Sequence, residues 1–229
     1  MSRARLRSSS DDRAGDHSPS GAVMKEYYDR YWNQDQPPPL TDPLAKTRLK
    51  LLREMLSTVS AANVLDVGSG PGDVVGALHR DGVSVVGMDV SAEAVAMASR
   101  RHKGCRFIEH SAEELPWPVQ AGAFDLVIAF EVIEHLLRPR QLLLGAHEAL
   151  RPGGHLAITT PYHGLLKNLA LVPLGFDRHF AVEGEHIRFF SDNAIRRILA
   201  DTGFTMIRVV HLGRAWPVWA GVFVWARRQ

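Results

Sequence analysis

A chain of 229 residues, 45% apolar and 23% charged, suits one globular domain able to bury a sizeable core. Its 27 basic and 25 acidic side chains are well mixed, so nothing marks a nucleic-acid surface, and no nucleic-acid partner is expected. The single cysteine, Cys105, excludes an internal disulfide and fits a reducing, cytoplasmic location, and no run of about 18 apolar residues predicts a transmembrane helix.

The first 20 residues are rich in Ser, Arg, Asp and Gly and lack the apolar stretch of a secretory signal. A disordered tail over 1–20 is expected, followed by a single domain over 21–229. MKEYYDRYW (24–32) reads as a short aromatic helix and QPPPLTDP (36–43) as an extended or turned linker. Pro43, after Asp42, marks a helix start, and LAKTRLKLLREMLSTV (44–59) carries apolar residues at helical spacing. Then strand and helix patterns alternate. ANVLDVG (62–68), SVVGMDV (84–90), CRFIEH (105–110), FDLVIAF (124–130) and HLAITTP (155–161) read as strands. PGDVVGALHRDG (71–82), SAEAVAMASRRHKG (91–104) and RQLLLGAHEALRPGG (140–154) read as helices, the last closed by Gly153 and Gly154. SDNAIRRILADTG (191–203) is a capped helix, and FTMIRVVHL (204–212) with VWAGVFVWA (218–226) form a final strand pair. Continuous Val/Ile/Leu runs alternating with helices predict an α/β fold, a mostly parallel sheet covered on both faces.

Ligands of such sheets sit beyond the carboxyl ends of the strands. The first of those ends reads VLDVGSGPGD (64–73), where Gly68, Gly70 and Gly72 let backbone approach a ligand closely. Asp66 can fix the loop or accept from a ligand ammonium, and Asp89, ending the second strand, can accept both hydroxyls of a ribose. A dinucleotide fingerprint needs glycine at 73, where this chain has Asp73. That carboxylate disfavours a phosphate at the helix start. The loop suits a ribose ligand carrying an amino acid, S-adenosylmethionine (SAM).

VLDVGSGPGD, VVGMDVS, HSAEELPW and FDLVIAFEVIEHL, followed by ALRPGGHLAITTP, resemble the successive motifs of the Rossmann-like SAM-dependent methyltransferases, over roughly residues 44–229. The resemblance implies a seven-stranded sheet with a reversed C-terminal hairpin. It also implies a methionine loop at Asp66, Gly68, Gly70 and Gly72, and ribose on Asp89. Val90 would pack on the adenine, Ser111, Ala112 and Glu113 would line its amino edge, and Phe130 would complete the cofactor wall. The family often has Asp where this chain has Ser111, so Glu113 or the backbone would substitute.

EVIEHLLRP (131–139) follows the fourth strand, where the methyl group of SAM should point. On a helical turn Glu131, Glu134 and His135 would share one face. One reading takes the acids as offsetting the helix dipole, with His135 as a packed polar residue. The other takes Glu131, Glu134, His135 and the later His186 of GEHIRFFS as ligands of a hard divalent cation, Mg²⁺ or Mn²⁺. The E-x-x-E-H with a later H-x-[RK]-F resembles metal-dependent small-RNA 2′-O-methyltransferases, and E-x-x-E-H itself resembles ubiquinone-pathway O-methyltransferases. A cation there would lower the pKa of an acceptor hydroxyl. Without one, His135 or His186 would serve as general base, beside Glu131. An RNA substrate is not expected.

Residues 161–190 are too long for a bare connection and read as an acceptor-side cap, with Leu165, Leu166, Leu169, Leu174 and Phe176 as its apolar face. Tyr162, His163, Lys167, Asn168 and His179 fall in the same stretch, and Tyr27, Tyr28, Tyr31 and Trp32 would close the pocket's other side. Peripheral membrane contact through the cap is a lesser alternative, because Lys and Arg do not cluster there. The resulting expectation is a SAM-dependent O-methyltransferase acting on a small hydroxylated molecule, such as a sugar, nucleoside or catechol with vicinal hydroxyls. Its rival is a SAM-binding regulator or a relative that transfers no methyl group. Oligomeric state is open.

Overall fold

The computed structural model describes residues 19–33, 42–169, 187–216 and 218–229, with side chains from Lys25 onward. Seven strands form one sheet: β1 (Asn63–Val67), β2 (Ser84–Asp89), β3 (Arg106–Glu109), β4 (Phe124–Phe130), β5 (Leu150–Pro161), β6 (Phe204–Leu212) and β7 (Gly221–Arg228). Their order is β3-β2-β1-β4-β5-β7-β6, parallel from β3 to β5, with β7 antiparallel to both β5 and β6. This is the expected mostly parallel sheet with a C-terminal antiparallel hairpin. The order reverses beside β1, whose neighbours are β2 and β4, and a crevice opens at such a switch point beyond the carboxyl ends.

The helices are α1 (Pro19–Trp32), α2 (Ala45–Val59), α3 (Asp73–Arg80), α4 (Ala92–Arg101), α5 (Pro139–Ala149) and α6 (Asp192–Ala200), with a 3₁₀ turn at Ile133–His135. Serine hydroxyls start two of them: Ser91 accepts the N–H of Ala94, and Ser191 that of Ala194. Side chains alternate across the sheet with period two. Val127 and Ala129 pack with Leu142 and Leu143 of α5 and Ile195 of α6, while Leu126 and Ile128 pack with Leu52 and Met55 of α2 and Val75 and Leu78 of α3. With both faces covered, the strands read as unbroken apolar runs.

Two boundaries depart from the sequence expectation. α1 begins at Pro19, inside the expected tail; residues 1–18 and most of the linker lie outside the described residues. RPGG does not close α5. The helix stops at Ala149, and Leu150–Pro161 is one long strand whose register against β4 shifts between Phe124 and Leu126. Pro152 disfavours helical geometry at Arg151, and Leu150 gains a partner in Phe124 instead. Among the described residues no helix is long and apolar enough to cross a membrane.

Candidate active site

The carboxyl end of β1 runs into Gly68-Ser69-Gly70-Pro71-Gly72, whose glycines have φ of 70°, 51° and 81°. L side chains are strained in that region, so glycine lets the loop leave the strand and enter α3. A Cβ on Gly68 would lie 2.4 Å from Val132 Cγ2, and one on Gly72 2.9 Å from His102 and Phe107. Two of the missing side chains thus make room for protein neighbours.

Gly68 and Ser69 donate their N–H groups to the Met88 carbonyl at 2.7 and 3.1 Å, tying the loop to β2. Asp89 accepts Gly70 N–H on Oδ2 at 2.8 Å and Ser91 N–H on Oδ1 at 2.9 Å. Each oxygen keeps lone-pair capacity, so the carboxylate can still accept two ribose hydroxyls. Burial is the main cause of its raised pKa. Asp66 is pushed up to about 8, first by burial and then by the nearby charge of Asp89.

These residues line a cavity of ≈ 570 Å³, a size suited to a nucleoside-like ligand, together with Gly68, Gly70, Val90, Ser111, Ala112, Glu113, Phe130, Glu131 and His135. Gly72 belongs to the loop but is absent from the wall. Among the described residues six acids reach the lining, Asp42, Asp66, Asp73, Asp89, Glu113 and Glu131, against Arg48 as the one Lys or Arg. Such a lining attracts a sulfonium and an ammonium and opposes a pyrophosphate. Asp73 also sits in the first turn of α3, where a phosphate would otherwise find its donors. The residues present therefore fit SAM and do not fit a dinucleotide.

Ser111 Oγ accepts the N–H of Glu113 at 3.2 Å, and Glu113 Oε1 in turn accepts the N–H of Arg138. One oxygen of Glu113 is thereby turned toward the start of α5, while the residue still lines the cavity.

The other half of the cavity is built from distant segments. Tyr28, Tyr31 and Trp32 of α1 reach its lining, and the Tyr28 ring stands edge-on to His135 at 6.1 Å. α1 is anchored through Asp29, which accepts Ser91 Oγ–H at 2.6 Å, and through Lys25, which pairs with Glu109 at 2.9 Å. Arg48 of α2 joins Asp42 at 2.5 Å to Glu131 at 3.3 Å. Neither Arg48 nor Asp42 was expected. The signal was a charge on the apolar stripe of α2, one turn before Leu52, which is fully buried.

Glu131, Glu134 and His135 do not share one helical face. Glu131 has φ 54°, a strained conformation held by its N–H to the Thr159 carbonyl at 3.1 Å and by Arg48, and the 3₁₀ turn starts two residues later. Its carboxylate meets Arg48. Glu134 is 0% exposed and both its oxygens lack a hydrogen-bond partner. Burial first, and the charge of Glu131 second, push it up to about 8. His135 lines the cavity with Nε2 3.9 Å from Glu134 Oε1. Among the described residues no three His, Cys, Asp or Glu side chains converge on a metal-holding geometry. His186 and His179, with Leu174 and Phe176, lie outside the described residues. Of the expected cap, Tyr162, His163, Lys167 and Asn168 are absent from the cavity wall, and Leu165, Leu166 and Leu169 are exposed. Tyr162 instead packs edge-on against His211 and Trp219, with Lys167 donating to its carbonyl at 2.6 Å.

Comparison with known proteins agrees with this architecture. The family model described as a methyltransferase domain matches residues 31–209. The ubiquinone biosynthesis O-methyltransferase of Cronobacter sakazakii is 31% identical over 139 residues, which cover 57% of this chain and 55% of that protein. The chain thus spans about half the length of such curated relatives. Among solved structures, the (4+2)-cyclase SpnF superposes with TM-score 0.69 at 18% identity, covering 92% of this chain and 97% of that one. The N-methyltransferase NodS of Bradyrhizobium japonicum, in complex with S-adenosyl-L-homocysteine (SAH), gives 0.65 at 20% identity, covering 90% and 98%. These matches add nothing to the small-RNA likeness. With the domain model spanning most of its length and the glycine loop, buried aspartates and seven-stranded sheet in place, this chain belongs to the methyltransferase-domain family, on the class I SAM-dependent fold.

Proposed function

We propose that the chain transfers the methyl group of SAM to a hydroxyl of a small acceptor. The observation that carries this reading is His135, a ring nitrogen base at the cavity wall beside Tyr28, just past the carboxyl end of β4. The ubiquinone-pathway relatives, named for O-methylation, support the choice of oxygen. Asp89 would hold the ribose hydroxyls, Asp66 the methionine ammonium, and Val90, Phe130 and the 111–113 loop the adenine. When bound, SAM supplies an electrophilic methyl on a sulfonium leaving group. The chain's own part is to align the acceptor oxygen with that methyl, exclude water beneath α1, and take the hydroxyl proton on His135. A sugar, nucleoside or catechol-like acceptor suits a cavity lined by aromatic rings and carboxylates.

A cation-assisted variant has one observation in its favour: the two unpartnered oxygens of Glu134 beside His135 Nε2. Glu131 is engaged by Arg48, so the described residues do not complete a ligand set, and no step is assigned to a metal. The test is incubation with methyl-labelled SAM and panels of catechols, nucleosides and sugars, with and without chelator. Label in a methyl ether supports the reading. Label only on nitrogen or carbon, or SAH binding without any transfer, would replace it, the latter with a binding protein or a non-methylating relative.

A further inference from the structure

The turn that carries His135 is short and poorly supported by its own backbone. Its 3₁₀ segment closes with His135 N–H on the Val132 carbonyl at 3.0 Å, after which Leu136 leaves in extended geometry. Its later polar groups find partners in two remote segments. From one side, Glu113 Oε1 accepts the N–H of Arg138, the residue before α5. Glu113 is 6% exposed and belongs to the loop on the adenine side of the cavity. From the other side come residues 187–188, at the C-terminal end of the expected cap. The Glu134 carbonyl accepts both Ile187 N–H and Arg188 N–H at 3.0 Å. The Arg188 guanidinium donates to the Leu137 carbonyl at 2.6 Å and the Leu136 carbonyl at 3.4 Å. Residues 187–190 are themselves fastened beyond β5, where Tyr162 bridges Phe190 and His163 N–H donates to the Phe190 carbonyl at 3.0 Å.

We propose that Glu113 and Arg188 are positioning residues that act through the 134–138 turn to fix His135 at the cavity wall. The inference rests on the proposed role of His135, and neither residue touches the reacting atoms in this scheme. Arg188 supplies the planar fork that reaches two successive carbonyls, which a single ammonium cannot match. Glu113 supplies a buried acceptor to an N–H at a helix start, a place where anions are favoured. Because the clamp joins the adenine loop to the segment returning from the cap, it links the two halves of the cavity through His135.

The test uses the full chain in complex with SAH and then in turnover. Wild-type and variant proteins labelled with ¹³C at the histidine ring are compared by NMR, the His135 signal being assigned with His135→Gln. Glu113→Ala and Arg188→Met are each expected to shift or broaden that signal. Turnover should drop about tenfold in both, and in Arg188→Met, whose residue lies outside the cavity wall, acceptor KM and SAH affinity should stay within about twofold, as for a displaced base in an intact pocket. Glu113→Gln, which keeps an acceptor, is expected to recover most of both readouts, and Arg188→Lys, a single ammonium, only a part of them. An unchanged His135 signal in both disruptive variants overturns the clamp. So does SAH affinity falling as far as turnover in Arg188→Met, because Arg188 would then serve the cofactor. The ring signal needs no substrate, so a failure to find any methylated hydroxyl would count against the proposed function and leave the clamp decided separately.

Discussion

The two halves of the cavity are built differently. The cofactor half comes from one stretch, β1 to β3, in which the glycine loop, Asp66, Asp89 and the 111–113 loop follow each other at the ends of successive parallel strands. Its glycine loop and Asp89 are paired inside that stretch: Asp89 with Gly70 and Ser91, Gly68 with Met88. The acceptor half brings together α1, α2 and the turn after β4, with its supports from residues 187–190. It carries a strained residue, Glu131, and a fully buried carboxylate, Glu134. Preorganisation by local pairing suits a ligand shared by many proteins, whereas a wall gathered from distant segments can change without disturbing the cofactor. If that division holds, damage to the first half should abolish SAH binding, and damage to the second should spare it.

The largest effect is expected at Gly68. Gly68→Ala places a Cβ 2.4 Å from Val132 Cγ2 at a backbone φ of 70°, so steric clash and backbone strain act together. SAH affinity measured by calorimetry should fall by more than about a hundredfold, equivalent to roughly 3 kcal/mol. The double variant with Val132→Ala should recover part of it, since the clash is relieved and the strain remains. Asp89→Ala comes next. Losing a buried acceptor of two hydroxyls should cost about 3 kcal/mol. NAD binding in place of SAH would break the assignment of this half altogether.

Asp66 offers a finer test. With its pKa at about 8 it is mostly protonated at pH 7 in the ligand-free protein. A ligand ammonium beside it favours the ionised form and lowers that pKa, so binding must expel a proton. Calorimetry of SAH at pH 7 in buffers of different ionisation enthalpy should report release of close to one proton. Affinity should rise with pH up to roughly tenfold per unit below 8, as long as the ligand ammonium stays charged. Asp66→Asn should release none. Buffer-independent enthalpy in the wild type would mean that Asp66 does not meet the ammonium.

The contrast between the halves also explains what the sequence disclosed. The cofactor half was legible because each of its features is local: a glycine run after an apolar strand, then an aspartate at the end of the next. The central strands were legible because burial on both faces leaves unbroken apolar runs such as FDLVIAF. The acceptor half was legible only in part. Glu131, Glu134 and His135 were grouped by the spacing rule for helices, and that rule lapses because Glu131 takes φ 54° and the helical turn starts only at Ile133. Arg48 reaches Glu131 from 83 positions upstream, a contact no local pattern encodes. RPGG misled for a related reason: glycines after a helix usually cap it, but here Pro152 had already ended it and the chain was joining β4.

Glu134 sharpens the comparison from the acceptor side, with the smallest expected effect on turnover. Its pKa stands at 4.5 in an ordinary setting and at about 8 in the folded chain, so the folded state holds the proton more tightly. Between those values the folded protein binds more protons than the unfolded one, and stability falls as pH rises through that window. Below about 4.5 there is no penalty, and above about 8 it is complete. Glu134→Gln mimics the neutral acid and removes the ionisation. Its melting temperature should run parallel to wild type at pH 5 and exceed it increasingly toward pH 9, by several degrees if a few kcal/mol are at stake. SAH affinity should not move, and turnover at pH 7 should stay within about twofold, since the wild-type side chain is already mostly neutral there. A cation held by Glu134 would reverse this picture, because an amide is a poorer ligand than a carboxylate. Abolished turnover in Glu134→Gln, together with chelator-sensitive activity in the wild type, would therefore restore the metal and remove His135 as the base.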